Sequence, residues 1–378
     1  MTALRRPPDS YVADVGSVRA VHQFLPALMP GDACGIHTLA AQEALREAGF
    51  ESEIFCEAVH HELDGKGRHF SEFPAFAPGS VLVYHLATGS VLADYVNARG
   101  EPLVVDYHNL TPASFFRRWD MSVANAVSWG RAQLSMLVPR TALGMADSTY
   151  NELEMVELEY RRTAVVPILL DVDADTAEVD PATFDRLKAE KAAGGVDLLF
   201  VGRLAPNKAQ EDLIKALVMY RRAYDPKARL RLIGRPATDS YRSALDAFIS
   251  DLGLGEAVTV ASGLSDAQLT AYYRTADVLV VLSEHEGFNT PLVEAMRHRL
   301  PVIAYASCAV PETLGGGGLL LPDKSPSTVA AAVHRVISDP VLREGLVRAG
   351  ADRLAQFDLK ASKGRFVNAL TFLTGVSV

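Results

Sequence analysis

Two stretches hold residue types that could grip an anionic ligand. The first is Gly202-Arg203-Leu204-Ala205-Pro206-Asn207-Lys208, directly after the apolar run 196–201. Arg203 and Lys208 could neutralise an anion together, because their bonds to it are charge-assisted. Alternatively, Arg203 pairs with a carboxylate and Lys208 is solvated at a helix start. A cation there opposes the helix dipole, a conflict that a bound anion would relieve. The second stretch is Ser283-Glu284-His285-Glu286-Gly287-Phe288-Asn289-Thr290-Pro291-Leu292-Val293-Glu294-Ala295-Met296. Glu286 falls between the β-branched run 277–282 and a short helix with Pro291 in its first turn. A glycine at that point lets backbone approach a ligand, and the new helix's free N–H groups favour an anion. Leu292, Val293, Ala295 and Met296 form one apolar arc, with Glu294 opposite them beside Arg297 and His298. Glu294 therefore reads either as part of a solvated face or as a carboxylate kept for a ligand, and Glu286 also suits the helix dipole.

Residues so placed need strands that end at one edge. Strand-like runs recur at 18–24, 80–85, 102–109 and 142–146, then at 196–201, 229–234, 257–261, 277–282 and 301–304, with helical patterns between them. Two successive alternating halves predict an α/β protein of two doubly wound domains. The boundaries are set at 1–170 and 171–358, with the acidic, proline-bracketed segment 171–181 as linker. After the first run, Pro30-Gly31-Asp32-Ala33-Cys34-Gly35 leads into a helix expected over 36–48. This strand–glycine loop–helix suits an anion but is not the dinucleotide fingerprint. His85 and His108 close two neighbouring strands. Each is either a hydrogen-bonded structural histidine or a group at the ligand edge. The segment 115–138 reads as one helix. Its Phe115, Phe116, Trp119 and Trp129 are core residues or, beside arginines, an acceptor- or membrane-facing surface. Glu312 is expected at a helix start, and the four glycines 315–318 in a flexible turn.

A length of 378 residues suits about two domains, and 49% hydrophobic with 22% charged residues is a core-forming composition. A net charge of −9 argues against a nucleic-acid partner. Cys34, Cys56 and Cys308 are widely spaced with no C-x-x-C, so neither a zinc site nor a disulfide framework is expected, and a reducing cytoplasm is the expected location. No signal peptide and no spanning apolar run are expected.

Glu286 and Glu294, within E-G-F-x-x-P-L-V-E-A-M, resemble the signature of retaining GT-B glycosyltransferases. That family includes sucrose synthase-like and bacterial lipopolysaccharide mannosyl- and glucosyltransferases. G-R-L-x-x-x-K at 202–208 matches the family's second motif, and the resemblance covers nearly the whole chain. It implies two Rossmann-like domains around a cleft, with the terminal segment 359–378 crossing back to the first domain. It implies transfer of a hexose or deoxyhexose from a nucleoside diphosphate sugar to an acceptor hydroxyl with retention. No cofactor and no metal are implied, the leaving phosphate itself taking the acceptor proton.

Residue by residue, the resemblance puts Gly202, Arg203 and Lys208 on the diphosphate and Gly234 at the same edge. Ser262, Gly263 and Leu264 would meet the base through backbone, and Glu294 the ribose hydroxyls. Glu286 would reach the hexose, with N–H groups of Gly287, Phe288 and Asn289 toward sugar and phosphate. His108 would contact the transferred sugar, and His85 matches a less regular position. Gly31, Asp32 and Gly35, and with them His85, are assigned to the acceptor or phosphate loop, where the family often has two adjacent glycines. Asn289 stands where many relatives have glycine, which implies a different sugar preference. The first domain looks most like bacterial polysaccharide mannosyl- and rhamnosyltransferases. That implies a GDP-linked sugar and a glycan or lipid-linked acceptor, with peripheral contact at the inner face of a membrane. Two alternatives stay open. A nucleotide-sugar 2-epimerase needs further carboxylates facing the sugar, and the sequence of the first domain places none. A non-catalytic nucleotide-sugar-binding module is disfavoured by the intact Arg203, Lys208, Glu286 and Glu294.

Overall fold

Parallel strands joined by crossover helices bury both faces of a sheet, so their sequences are continuous apolar runs. The computed structural model, which describes residues 18–172 and 178–376, contains two such sheets. The first is built from β1 (Ala20–Leu28), β2 (Ile54–Val59), β3 (Arg68–His69), β4 (Ser80–Leu86), β5 (Leu103–Tyr107), β6 (Thr141–Ala146) and β7 (Thr163–Val165), in the order β3-β2-β1-β4-β5-β6-β7. The second is built from β8 (Asp197–Val201), β9 (Arg229–Ile233), β10 (Val258–Ala261), β11 (Val278–Val281), β12 (Val302–Tyr305) and β13 (Leu319–Leu321), in the order β10-β9-β8-β11-β12-β13. Paired strands run parallel. All of β4, β5 and β11 is buried.

The strand order reverses between β1 and β4 and again between β8 and β11. At such switch points the connections leave in opposite directions and open a crevice at the carboxyl ends of the strands. Both motifs read from the sequence follow switch-point strands, β8 and β11. Phe24, Tyr84, Tyr107 and Met155 pack one face of the first sheet. On its other face Val21, Val83 and Val104 meet Phe366, Val367, Leu370 and Leu373 from the helices Leu359–Ala369 and Thr371–Thr374. The end of the described chain therefore packs back on the first sheet.

Several expected boundaries moved. β1 continues through Pro26 to Leu28, because its pairing with β4 ends at Phe24, so no bond to β4 is lost at the proline. The first helix starts at Ala33, where Asp32 caps it by accepting from Gly35 N at 3.2 Å. The single helix expected over 115–138 is a 3-10 turn, Ala113–Phe115, followed by the helix Met121–Leu137 with Asp120 as its cap. Phe116 is buried and Trp119 meets Tyr241 of the second half edge-on at 5.0 Å. These two aromatics join the halves instead of facing a membrane, while Trp129 stays 42% exposed. No described helix is long and apolar enough to cross a membrane.

Candidate active site

The switch-point loops of the two sheets face one another across a cavity of about 270 Å³. Gly31, Asp32, His108, Asn109 and Asp147 line it from the first half, and Gly202, Arg203, Lys208 and residues 286–291 from the second. Asn207, buried between the two loops of the second half, ties them together. Its Nδ2 donates to His285 O at 3.0 Å and its carbonyl accepts from Glu284 N at 2.8 Å.

Lys208 is neither solvated nor waiting for a ligand. Its Nζ donates to Glu286 Oε2 at 2.6 Å, while Asn289 Nδ2 donates to Glu286 Oε1 at 2.9 Å. Arg203 is exposed at the cavity and has no carboxylate partner among the described residues. Of the two expected diphosphate cations, one is therefore already paired inside the protein and one is open.

Gly287 lies against the first half. A Cβ there would run into Asn109 Cβ and lie 2.8 Å from Asn151 Nδ2. So the glycine admits the opposite domain. Asn109 itself has φ +65°, and its Nδ2 meets the His285 Nδ1 at 3.2 Å. Burial first, then the nearby Arg131, lowers His285 to about 4, so it accepts as a neutral ring. Glu312 is more than a helix-start residue. Its carboxylate accepts from Thr149 N at 2.9 Å and Thr149 Oγ1 at 3.0 Å, capping the helix Thr149–Glu157 of the first half from the second.

His108 lines the cavity, but His85 does not. His85 is fully buried behind it, its Nδ1 2.9 Å from His108 Nε2 and its Nε2 2.9 Å from Gln23 Oε1. The expected place of His85 in the acceptor loop is corrected accordingly: β4 points it inward, where strand register pairs it with Asp106. Asp106 Oδ2 also accepts from His37 Nε2 at 2.9 Å. His108 Nδ1 meets Asp147 Oδ1 at 2.9 Å. Burial alone would lower His108, but the Asp147 carboxylate, with Asp106 behind it, holds the ring well above its ordinary value. Burial lowers His85 to about 4.

His37, His85, Asp106 and His108 lie close enough to share a metal ion. The hydrogen bonds oppose it. Leu169 N donates to His37 Nδ1 at 3.0 Å, so that ring keeps its proton on Nε2, the atom a metal would need. The linker also carries Asp171-Val172-Asp173-Ala174-Asp175, two overlapping D-x-D triplets that the metal-free expectation does not account for. Asp173 and Asp175 lie outside the described residues.

Glu294 lines a second, neighbouring cavity of about 640 Å³, together with Tyr273, Val293, Arg297 and His298. The solvated-face reading fails: Tyr273 O–H donates to Glu294 Oε2 at 2.6 Å, and burial raises the carboxyl. Tyr273 also stacks on His298 at 4.9 Å. Of the remaining expected residues, Gly234 is a packing position whose Cβ would collide with the Gly202 carbonyl oxygen. Gly35 gives its N–H to Asp32 and lines neither cavity. Ser262, Gly263 and Leu264 also stay outside both linings, although Ser265, which caps the next helix with Gln268, lines the second. The sequence reading missed His37, Asp106, Asn109 and Asp147. Asp106 carried a signal: a lone carboxylate inside a buried apolar strand must have partners.

Two facing Rossmann-like sheets with their switch points opposed define the GT-B fold. Anabaena HepE, in a solved complex with UDP and glucose, shares it with a TM-score of 0.72 at 18% identity, covering 93% of this chain and 99% of that one. The family described as Glycosyl transferases group 1 matches residues 182–353. The 2-deoxystreptamine glucosyltransferase of Streptomyces kanamyceticus is 30% identical over 302 residues, 74% of this chain and 73% of that protein. The chain belongs to the group 1 glycosyl transferases. It is also 29% identical over 276 residues to the D-inositol 3-phosphate glycosyltransferase of Kineococcus radiotolerans, a stretch that is 64% of this chain and 63% of that relative's length.

Proposed function

We propose that the cleft binds a nucleoside diphosphate sugar and that the chain transfers its sugar, with retention, to a hydroxyl of a cyclitol-type acceptor. The observation that carries this is Arg203, an open cation at the switch-point crevice beside the ordered Lys208–Glu286 pair. A diphosphate leaving group needs such a cation. Glu294, with one oxygen taken by Tyr273, keeps the other for a ribose diol. The leaving group is neutralised by Arg203 without a metal, and Glu286 and the backbone of 287–289 hold the hexose. The acceptor class follows the cyclitols in the two relatives' names. UDP-linked hexoses, as in the HepE complex, and GDP-linked mannose or rhamnose, from the first-domain resemblance, are the donors to compare. Three free cysteines suit a reducing cytoplasm.

The test is a thermal-shift screen of nucleoside diphosphates and their sugars, since binding raises the melting point by mass action. It is followed by an assay for released nucleoside diphosphate. Asp147, a cavity-lining carboxylate of the first domain, favours one second reading, a 2-epimerase. An isomerised nucleotide sugar, in place of free nucleoside diphosphate, would identify it.

A further inference from the structure

Asp147 follows β6 directly and lines the cleft cavity with its side chain 4% exposed. One oxygen meets His108 Nδ1, and the other has no protein hydrogen bond among the described residues. Behind this pair the hydrogen bonds assign the protons. The Gln23 amide donates to Thr38 O at 3.0 Å, which turns Gln23 Oε1 toward His85 and puts the His85 proton on Nε2. His85 Nδ1, which also lies 3.3 Å from Asp106 Oδ2, is then the acceptor for His108 Nε2–H, the donor 2.9 Å away. His37 Nε2–H is donated to Asp106 Oδ2, whose other oxygen is buried without a partner. Both nitrogens of His108 are thus occupied, one by His85 and one by Asp147. The ring has no nitrogen left for a ligand.

We propose that Asp147, not His108, is the group by which the first domain binds a carbohydrate hydroxyl, and that the buried chain Gln23–His85–His108 is there to orient it. The inference rests on the donor reading above. A carboxylate with one oxygen held by a ring and one open is an acceptor for an alcohol O–H. The hydroxyl belongs either to the transferred sugar or to the acceptor. His85 is a positioning residue, acting on the ligand only through His108 and Asp147.

The experiment measures nucleoside diphosphate affinity by calorimetry, donor hydrolysis without acceptor, and transfer with acceptor, for the wild type, Asp147→Asn, His85→Gln and the double variant. Asp147→Asn is nearly isosteric, and a melting temperature within a few degrees of wild type shows that it has folded. The proposal expects at least a tenfold fall in transfer with nucleotide affinity within twofold of wild type. If hydrolysis falls equally, the hydroxyl is the donor sugar's; if hydrolysis is spared, it is the acceptor's. In a folded His85→Gln, transfer should also fall, and the double variant should lose no more than Asp147→Asn alone, because both act through one carboxylate. Wild-type transfer in Asp147→Asn with nucleotide affinity intact overturns the proposal. Additive losses in the double variant overturn the positioning role of His85. A wild-type protein that binds no nucleoside diphosphate instead overturns the donor reading on which the proposal rests.

Discussion

Lys208 and Glu286 meet at 2.6 Å, the cation from the loop after β8 and the carboxylate from the loop after β11. With side chains 17% and 5% exposed, they form a mostly desolvated pair across the second sheet's switch point. Breaking one partner of such a pair strands the other, at a cost of about 3–5 kcal/mol. Lys208→Ala should therefore destabilise by ~3 kcal/mol as well as impair turnover. Removing Glu286 too should recover part of that loss in a double-mutant cycle. Urea unfolding reads it. Equal stability of wild type and Lys208→Ala would mean that the pair is solvated.

Gly287 carries the second prediction. An alanine there meets Asn109 and Asn151 of the opposite half, so Gly287→Ala should hold the cleft open. Turnover should fall more than tenfold while each half stays folded. Because Asn109 has φ +65°, Asn109→Gly suits its backbone and also removes the clashing Cβ. The double variant should regain activity. Small-angle scattering alongside turnover checks both; a fully active Gly287→Ala would contradict the close approach.

For Glu294 the prediction separates ribose binding from turnover. Glu294→Gln loses an acceptor for a diol, so nucleoside diphosphate affinity should fall with the fold intact. Tyr273→Phe leaves the buried carboxylate without its donor, and should lose affinity in the same direction. Glu286→Gln should lower turnover mainly. Titration of all three variants with nucleoside diphosphate decides it; unchanged affinity in the first two removes the second cavity from the site.

Stability should fall on the acid side of neutrality. His85, His285 and His298 are each lowered to about 4, with burial the largest cause. Between the unfolded value near ~6.5 and ~4, the unfolded chain takes up protons that the native chain refuses, so stability is lost as pH falls through that window. His108 has the opposite sign: its raised value contributes stability below about 6.5 that is lost as pH rises through the folded value. Urea midpoints from pH 7.5 to 4.5 test the acid limb, and a flat profile would contradict it.

The alternating runs and both motifs were legible because switch-point strands are continuous apolar segments and their loops carry charged residues in fixed spacing. The reach of those charges was not legible. Lys208 and Glu286 are 78 positions apart, and nothing local says that one will neutralise the other. Glu294 stayed open between a solvated face and a ligand carboxylate because a helical wheel shows only its own helix, whereas Tyr273 arrives from the preceding one. The placement of His85 failed for a related reason. It ends a strand at the ligand edge, yet the pleat turns its ring toward Asp106 and Gln23. Asp147 sat in plain view after a strand, but its importance comes from a histidine 39 positions away.

The most direct test of the donor reading is calorimetric titration of UDP and GDP onto the wild type and Arg203→Ala, in excess EDTA. The account predicts that one of the two nucleotides binds the wild type despite chelation. It predicts that Arg203→Ala weakens that binding by ~1.5–3 kcal/mol, the range for a bond to a charged group, or roughly 10–150-fold in Kd. Equal affinity in the two proteins, or binding that appears only when Mg²⁺ or Mn²⁺ is restored, would contradict it.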